Sequence, residues 1–258
     1  MSRATNIDHL STLHLGHARS EYQRQAGDPA MADLDFDARL LRMLDHEIIM
    51  RANARVERRT RDAGFPLRAT PEEFELREGR GITKGTLHQL ILLAWLQGGH
   101  NLAISGATGT GKTYLAVALG TSAIRSGYHV RYFKLSKLLE KVGITRADGT
   151  YPSFSQGVAR SDLVIIDDWG ISPVSPVGSR ELLDLLDALY EHGSLIISSQ
   201  LPVSSWYDSL GERTVADAIM DRIIHNAIPI ELKGESMRKI RSQGKEGMGP
   251  TGIRSPLE

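Results

Sequence analysis

The chain has 258 residues, 41% of them hydrophobic and 24% charged, the balance of a globular protein and not of a disordered or membrane-embedded one. Basic and acidic residues number 31 each, so the net charge is zero and only local clusters could argue for nucleic-acid binding. There are no cysteines, which excludes disulfides, thiolate metal sites and thiol nucleophiles, and the nine histidines show no HxxxH spacing. No apolar run approaches the roughly 20 residues of a membrane span and no signal-peptide pattern opens the chain, so a cytoplasmic protein with no membrane partner is expected.

Residues 8–25 have helix-compatible spacing, which Gly27-Asp28-Pro29 interrupts. Phe36 to Ala63 then places Leu40, Leu44, Ile48, Ala52 and Val56 at steps of four, predicting a long amphipathic helix that Gly64 and Pro66 end. Its second half carries Arg51, Arg55, Arg58, Arg59 and Arg61, and the first three share a face that could follow a phosphate backbone. The alternative is a solvated face with favourable cations near the helix C-terminus.

From about residue 100, short apolar runs alternate with helical ones, the pattern of a parallel sheet covered by helices. Strands are predicted at 101–105, 129–133, 163–166, 194–198 and 228–231, with helices near 112–126, 135–142, 179–191 and 214–226. The expected organisation is a helical N-terminal domain over 1–68, an α/β domain over 69–241 and a flexible tail over 242–258.

The first of these strands runs into Gly106-Ala107-Thr108-Gly109-Thr110-Gly111-Lys112-Thr113, a P-loop in its required strand-to-helix setting. The glycines let backbone N–H groups converge on phosphate oxygens, and the following helix points its positive end at them. Lys112 is expected to reach the β and γ phosphates of ATP, Thr113 to ligate Mg2+, and Tyr114 to line the same site. The second acidic element is Leu163-Val164-Ile165-Ile166-Asp167-Asp168, four buried-strand residues followed by two carboxylates. Asp167 is the natural partner of the metal, and Asp168 would orient the attacking water or take its proton. Ser199 and Gln200, closing the fourth strand, could sense the γ phosphate or simply make strand-end hydrogen bonds.

Four segments carry a family resemblance: Leu163 to Gly170, Ser198-Ser-Gln-Leu-Pro202, Ala216 to Asn226 and the later Gly234-Glu-Ser-Met-Arg238-Lys239. Together they resemble IstB-like transposition helpers, AAA+ ATPases related to the DnaC helicase loaders, and the likeness runs to about residue 241. The resemblance implies a homo-oligomer on double-stranded DNA that presents it to a partner transposase. It also implies ATP at subunit junctions, completed by an arginine finger from the neighbour. Arg222 matches that position, with Arg213 in reserve. The second carboxylate is Asp168 where many AAA+ ATPases have Glu, as in other IstB-like proteins, and it suits slow, assembly-dependent hydrolysis. The short stretch after the last strand leaves little room for a helical lid, which leaves the roles of Arg238 and Lys239 open.

Between Arg125 and Asp148 stand six basic residues against two acidic ones. In the family this region lines the DNA path, so Lys134, Lys137, Lys141 and Arg146 are candidate phosphate contacts, with Arg51, Arg55, Arg58 and Arg59 as a second group. Such contacts would be largely indifferent to sequence. The alternative functions are a DnaC-like replicative helicase loader and, from another class, a small-molecule kinase, for which no acceptor-binding lid is found.

Overall fold

The computed structural model describes residues 2–31, 33–190 and 193–237, so Arg238, Lys239 and the expected tail over 242–258 lie outside the described residues. The chain divides into two compact units at Arg59/Thr60.

The first unit is helical. Ser2 caps α1 (Arg3–Thr12) by accepting the Thr5 N–H at 3.3 Å, and His14, at φ +56°, separates it from α2 (Gly16–Gln25). The helix-compatible stretch 8–25 is therefore two helices. α3 (Phe36–Ala63) has the predicted bounds, and Asp35 caps its start by accepting the Ala38 N–H at 2.7 Å. Two buried carboxylates bind neighbouring groups within the unit. Glu47 accepts from the Ala18 N–H at 2.7 Å and from Arg51 Nε at 2.6 Å. Glu21 accepts both Arg24 Nε and Nη2 at 2.7 Å and Gln25 Nε2 at 3.1 Å. The stripe read from sequence is less buried than its periodicity suggests: Leu40, Leu44 and Ile48 are exposed. In their place α2 buries Ala18, Glu21 and Gln25, and α3 buries Glu47.

The second unit is an α/β fold around five parallel strands: β1 (Asn101–Gly106), β2 (Val130–Lys134), β3 (Leu163–Trp169), β4 (Ser194–Ser199) and β5 (Ala227–Leu232). Their order in the sheet is β2-β3-β4-β1-β5. Each predicted strand is found, within a residue or two except at the C-terminus of β3. Parallel neighbours require crossovers, and these are supplied by α6 (Lys112–Arg125), the pair α7 (Leu135–Ala147) and α8 (Tyr151–Ala159), α9 (Pro176–Tyr190) and α10 (Arg213–Ile224). Leu163 to Ile166 and Leu195 to Ile197 are all buried, as strands covered on both faces must be. Two helices precede β1, α4 (Lys84–Ile91) and the single turn α5 (Ala94–Gln97).

Parallel alignment brings the C-terminal ends of β1, β3 and β4 to one edge. Ile104 pairs with Ser198 and Ser105 with Ser199, while Lys134 on β2 pairs with Asp167. Between Ile166 and Trp169 the β3–β4 register slips, and Asp168 takes a left-handed conformation at φ +62°. A bulge of this kind re-aims side chains at the end of a strand.

Candidate nucleotide-binding site

The P-loop leaves β1 at Gly106, whose φ of +145° and close approach to the Leu232 carbonyl suit only glycine. It enters α6 through Gly111, so the unpaired N–H groups of the first turn face the loop. Lys112 is largely buried and folds over the loop, donating to the Gly106 and Ala107 carbonyls at 2.8 and 3.0 Å. Burial pulls its ammonium below the usual lysine value, against the opposing pull of Asp167 and then Asp168. A phosphate placed in the loop would satisfy that charge better than two carbonyls do.

Asp167 is the hub. Its Oδ2 accepts the Thr113 hydroxyl and the Tyr132 hydroxyl, each at 2.7 Å, and its Oδ1 accepts the Asp168 N–H at 2.9 Å and the Ser198 hydroxyl. Burial, reinforced by Asp167, pushes the Tyr132 phenol far above its usual value, so it stays a proton donor to the carboxylate. Thr113 Oγ1 and Asp167 Oδ2 are hard oxygen donors side by side at the mouth of a phosphate loop, a pair that fits Mg2+ completed by phosphate oxygens and water. Among the described residues no cluster of three or more His, Asp or Glu could hold a metal ion alone.

Asp168 reaches outward and pairs with Lys134 Nζ at 2.8 Å. Gln200 accepts from the Thr108 hydroxyl at 2.6 Å and so ties the end of β4 to the P-loop. Ser199 is turned elsewhere. Strand alternation buries its hydroxyl, which donates to the Trp169 carbonyl at 2.7 Å and accepts the Leu201 N–H at 3.0 Å. Of the expected sensing pair, Gln200 is at the loop, and the serine that touches the acidic centre is Ser198.

This constellation accompanies a whole-chain likeness. Residues 5–245 match the family model described as IstB-like ATP binding protein. The chain belongs to that family. It is 35% identical over 233 residues to the putative insertion sequence ATP-binding protein y4pL of Sinorhizobium fredii, covering 90% of this chain and 95% of that one. It is 27% identical to the insertion sequence IS21 putative ATP-binding protein of Pseudomonas aeruginosa, covering 93% and 90%. Solved structures sharing the fold include AMPPCP-bound DnaA from Aquifex aeolicus, at TM-score 0.56 and 24% identity over 70% of this chain and 56% of that one. The DnaC helicase loader gives TM-score 0.52 at 19% identity over 64% and 97%. This IstB-like protein therefore has the P-loop AAA+ fold with an N-terminal helical region.

Arg222 of this IstB-like chain sits at the other end of the sheet. Asn101, which opens β1, donates through Nδ2 to the Arg222 and Ile223 carbonyls at 3.1 and 2.9 Å. Five strand steps, about 16 Å, separate that point from the P-loop. Its guanidinium bonds Asp187 and the Ala218 carbonyl. Arg213 is the first residue of α10, at the far end of that helix from Arg222.

The basic candidates divide. Lys137 pairs with Glu140 at 2.7 Å and stays exposed, as does Lys141. Arg146 is exposed as well, and its guanidinium lies 4.0 Å from the Tyr151 ring centre, 2.6 Å from Asp184 and 3.5 Å from Glu181. On α3, Arg55 and Arg58 are exposed and Arg59 is half-buried, while Arg51 is engaged by Glu47 and the His14 carbonyl.

No helix among the described residues is long and apolar enough to cross a membrane.

Proposed function

We propose that this IstB-like protein is a Mg2+-dependent ATPase that assembles on double-stranded DNA and presents it to a partner transposase. The observation that carries the chemical part is the Thr113 hydroxyl bonded to Asp167 at 2.7 Å beside the P-loop. The names of its relatives, ATP-binding proteins of insertion sequences, support the biological part.

In this reading the N–H groups of the P-loop and Lys112 hold the phosphates, and Thr113 and Asp167 hold Mg2+. Bound there, the ion would neutralise charge on the β and γ oxygens. Ser198 and Tyr132 hold Asp167 in its orientation. Asp168, standing outward at the strand end, orients water and accepts its proton once its pairing with Lys134 relaxes. Gln200 reports on the loop through Thr108. Arg222 lies too far from its own P-loop to act there and serves the site of a neighbouring subunit, which makes hydrolysis depend on assembly. Lys134, Lys137 and Lys141, with Arg55 and Arg58, are the phosphate-contacting groups. The helical segment over 1–68 serves DNA or the transposase, and the segment over 69–241 is the ATPase.

The test is assembly on duplex DNA, followed by sedimentation with Mg2+ and a non-hydrolysable ATP analogue. Wild type should form large nucleotide-dependent complexes, and Lys112→Ala should not. Equal assembly with and without nucleotide would reject the reading. A replicative helicase bound in place of a transposase would transfer it to loading.

A further inference from the structure

After β5 the chain does not leave the nucleotide site but crosses it. The Lys233 N–H donates to the Arg80 carbonyl at 2.9 Å, Gly234 turns at φ +98°, and the Met237 N–H donates to the Gly109 carbonyl at 2.9 Å. Ser236 packs so tightly on Gly109 that no side chain could stand at that P-loop position. Two backbone hydrogen bonds, one on each side, thus lay residues 233–237 across the loop.

Beneath this crossing is a cavity of about 180 Å³, bordered by Lys112 and Thr113 on the phosphate side and by Phe74, Arg80, Tyr114 and Met237 on the other. Leu67, Glu73 and Glu75 complete the lining, and Glu73 accepts the Tyr114 hydroxyl at 3.1 Å. The Phe74 and Tyr114 rings are 6.1 Å apart and tilted by 35°, and the Arg80 guanidinium lies 4.3 Å from the Phe74 ring centre. Arg80 is itself fixed, since it is buried and donates through Nη2 to the Thr110 carbonyl at 2.9 Å. Met237 adds a polarisable thioether from the strap side. The space is well below the ~300 Å³ of a pocket for a whole drug-sized ligand, so it suits one heterocycle while the phosphates remain on the loop. Aromatic, guanidinium and thioether surfaces are what the π-face of a base stacks on.

We propose that Lys233–Met237 is a strap closing the nucleoside end of the site, with Met237 against the base and the Phe74–Arg80–Tyr114 wall opposite. This rests on the reading of the P-loop as an ATP site. The strap acts on retention: a nucleotide leaves by freeing the Met237–Gly109 bond, so residues beyond the last strand set the exchange rate.

Calorimetric titration of the full chain with Mg·ATP and with Mg·tripolyphosphate separates base from phosphate binding. Wild type should bind ATP more tightly than tripolyphosphate. Met237→Ala and Phe74→Ala should each weaken ATP about tenfold and leave tripolyphosphate unchanged. Met237→Pro, which removes the donor to Gly109, should speed release of a fluorescent ATP analogue in stopped flow by a similar factor. Lys112→Ala should lose both ligands. If Met237→Ala and Met237→Pro leave affinity and release at wild-type values, or weaken tripolyphosphate as much as ATP, the strap is overturned while the P-loop reading stands. If wild type binds neither ligand, both fall. Met237→Ala keeps the backbone bond, so it decides the case even if Met237→Pro does not fold.

Discussion

Lys134 Nζ lies 2.8 Å from the carboxylate of Asp168, joining the last residue of β2 to the second acidic residue of β3. The parallel register makes the meeting inevitable, because Lys134 is paired with Asp167 and the bulge swings the next side chain outward. One cation thus holds the group proposed to receive the proton of water, and the same cation is a candidate DNA contact. Lys134→Ala should raise ATP turnover without DNA by a factor of up to about five, the worth of a partly exposed pair of about 1 kcal/mol. It should also shrink the stimulation by DNA. Steady-state phosphate release with and without duplex checks both, and unchanged turnover would show that the pair does not restrain Asp168.

Asp168 should be tested as Asn and not only as Ala. At φ +62° an alanine carries a left-handed penalty of about 1 kcal/mol, whereas asparagine tolerates that region. Asp168→Asn should bind Mg·ATP normally and hydrolyse it about 100-fold or more slowly, the range of a lost general base. A turnover within a factor of three of wild type would remove Asp168 from the proton path.

Tyr132→Phe deletes one of the donors to Asp167 while leaving the ring packed against Phe65. A hydrogen bond to a buried charge contributes about 2 kcal/mol, so urea unfolding should show a loss of that order. Mg·ATP affinity should fall as well, because the carboxylate loses its fixed orientation. No change in either would mean that Ser198, Thr113 and the Asp168 N–H suffice.

The first unit should be acid-sensitive. Hydrogen bonds from Arg24 hold the buried Glu21 carboxyl down at about 2 against its usual 4.5, with burial opposing. A depressed value means stability that is complete above about pH 4.5 and lost as pH falls toward 2. Burial raises the Glu47 carboxyl, but the Ala18 N–H and Arg51 outweigh it and leave it lowered in the same sense. Wild type should lose helical circular dichroism cooperatively in that window, and Glu21→Gln should be less stable at pH 7 but flatter with pH. A parallel pH dependence in the two would exclude Glu21 as the cause.

Much of this site is legible in the sequence because its chemistry is local. The P-loop is contiguous, Asp167 follows four apolar residues, and the five strands announce themselves as apolar runs. What is not legible depends on register or on long returns of the chain. Tyr132 reaches Asp167 only because β2 lies beside β3. Ser198 and Ser199 are interchangeable in sequence, and only strand alternation decides which hydroxyl meets Asp167 and which meets Trp169. Arg146 reads as one of a basic run, and only the fold shows it beside Asp184 and Glu181, more than thirty residues on. Phe74 and Arg80 carry no motif, Met237 lies in a segment read only for its family likeness, and the three meet around the P-loop from both ends of the domain. The helix α8 is not legible for a simpler reason: Pro152, Ser153, Ser155 and Gly157 dilute its apolar periodicity.

The central claim is that Gly106 to Thr113 forms one half of a hydrolytic site and Arg222 of another subunit the second half. ATP turnover on duplex DNA by a mixture of Lys112→Ala and Arg222→Ala tests it most directly. Each variant alone should be nearly inactive, and the mixture should regain turnover well above both, since an intact P-loop then meets an intact Arg222. A mixture no more active than its components, or an Arg222→Ala protein that hydrolyses ATP like wild type, would contradict it.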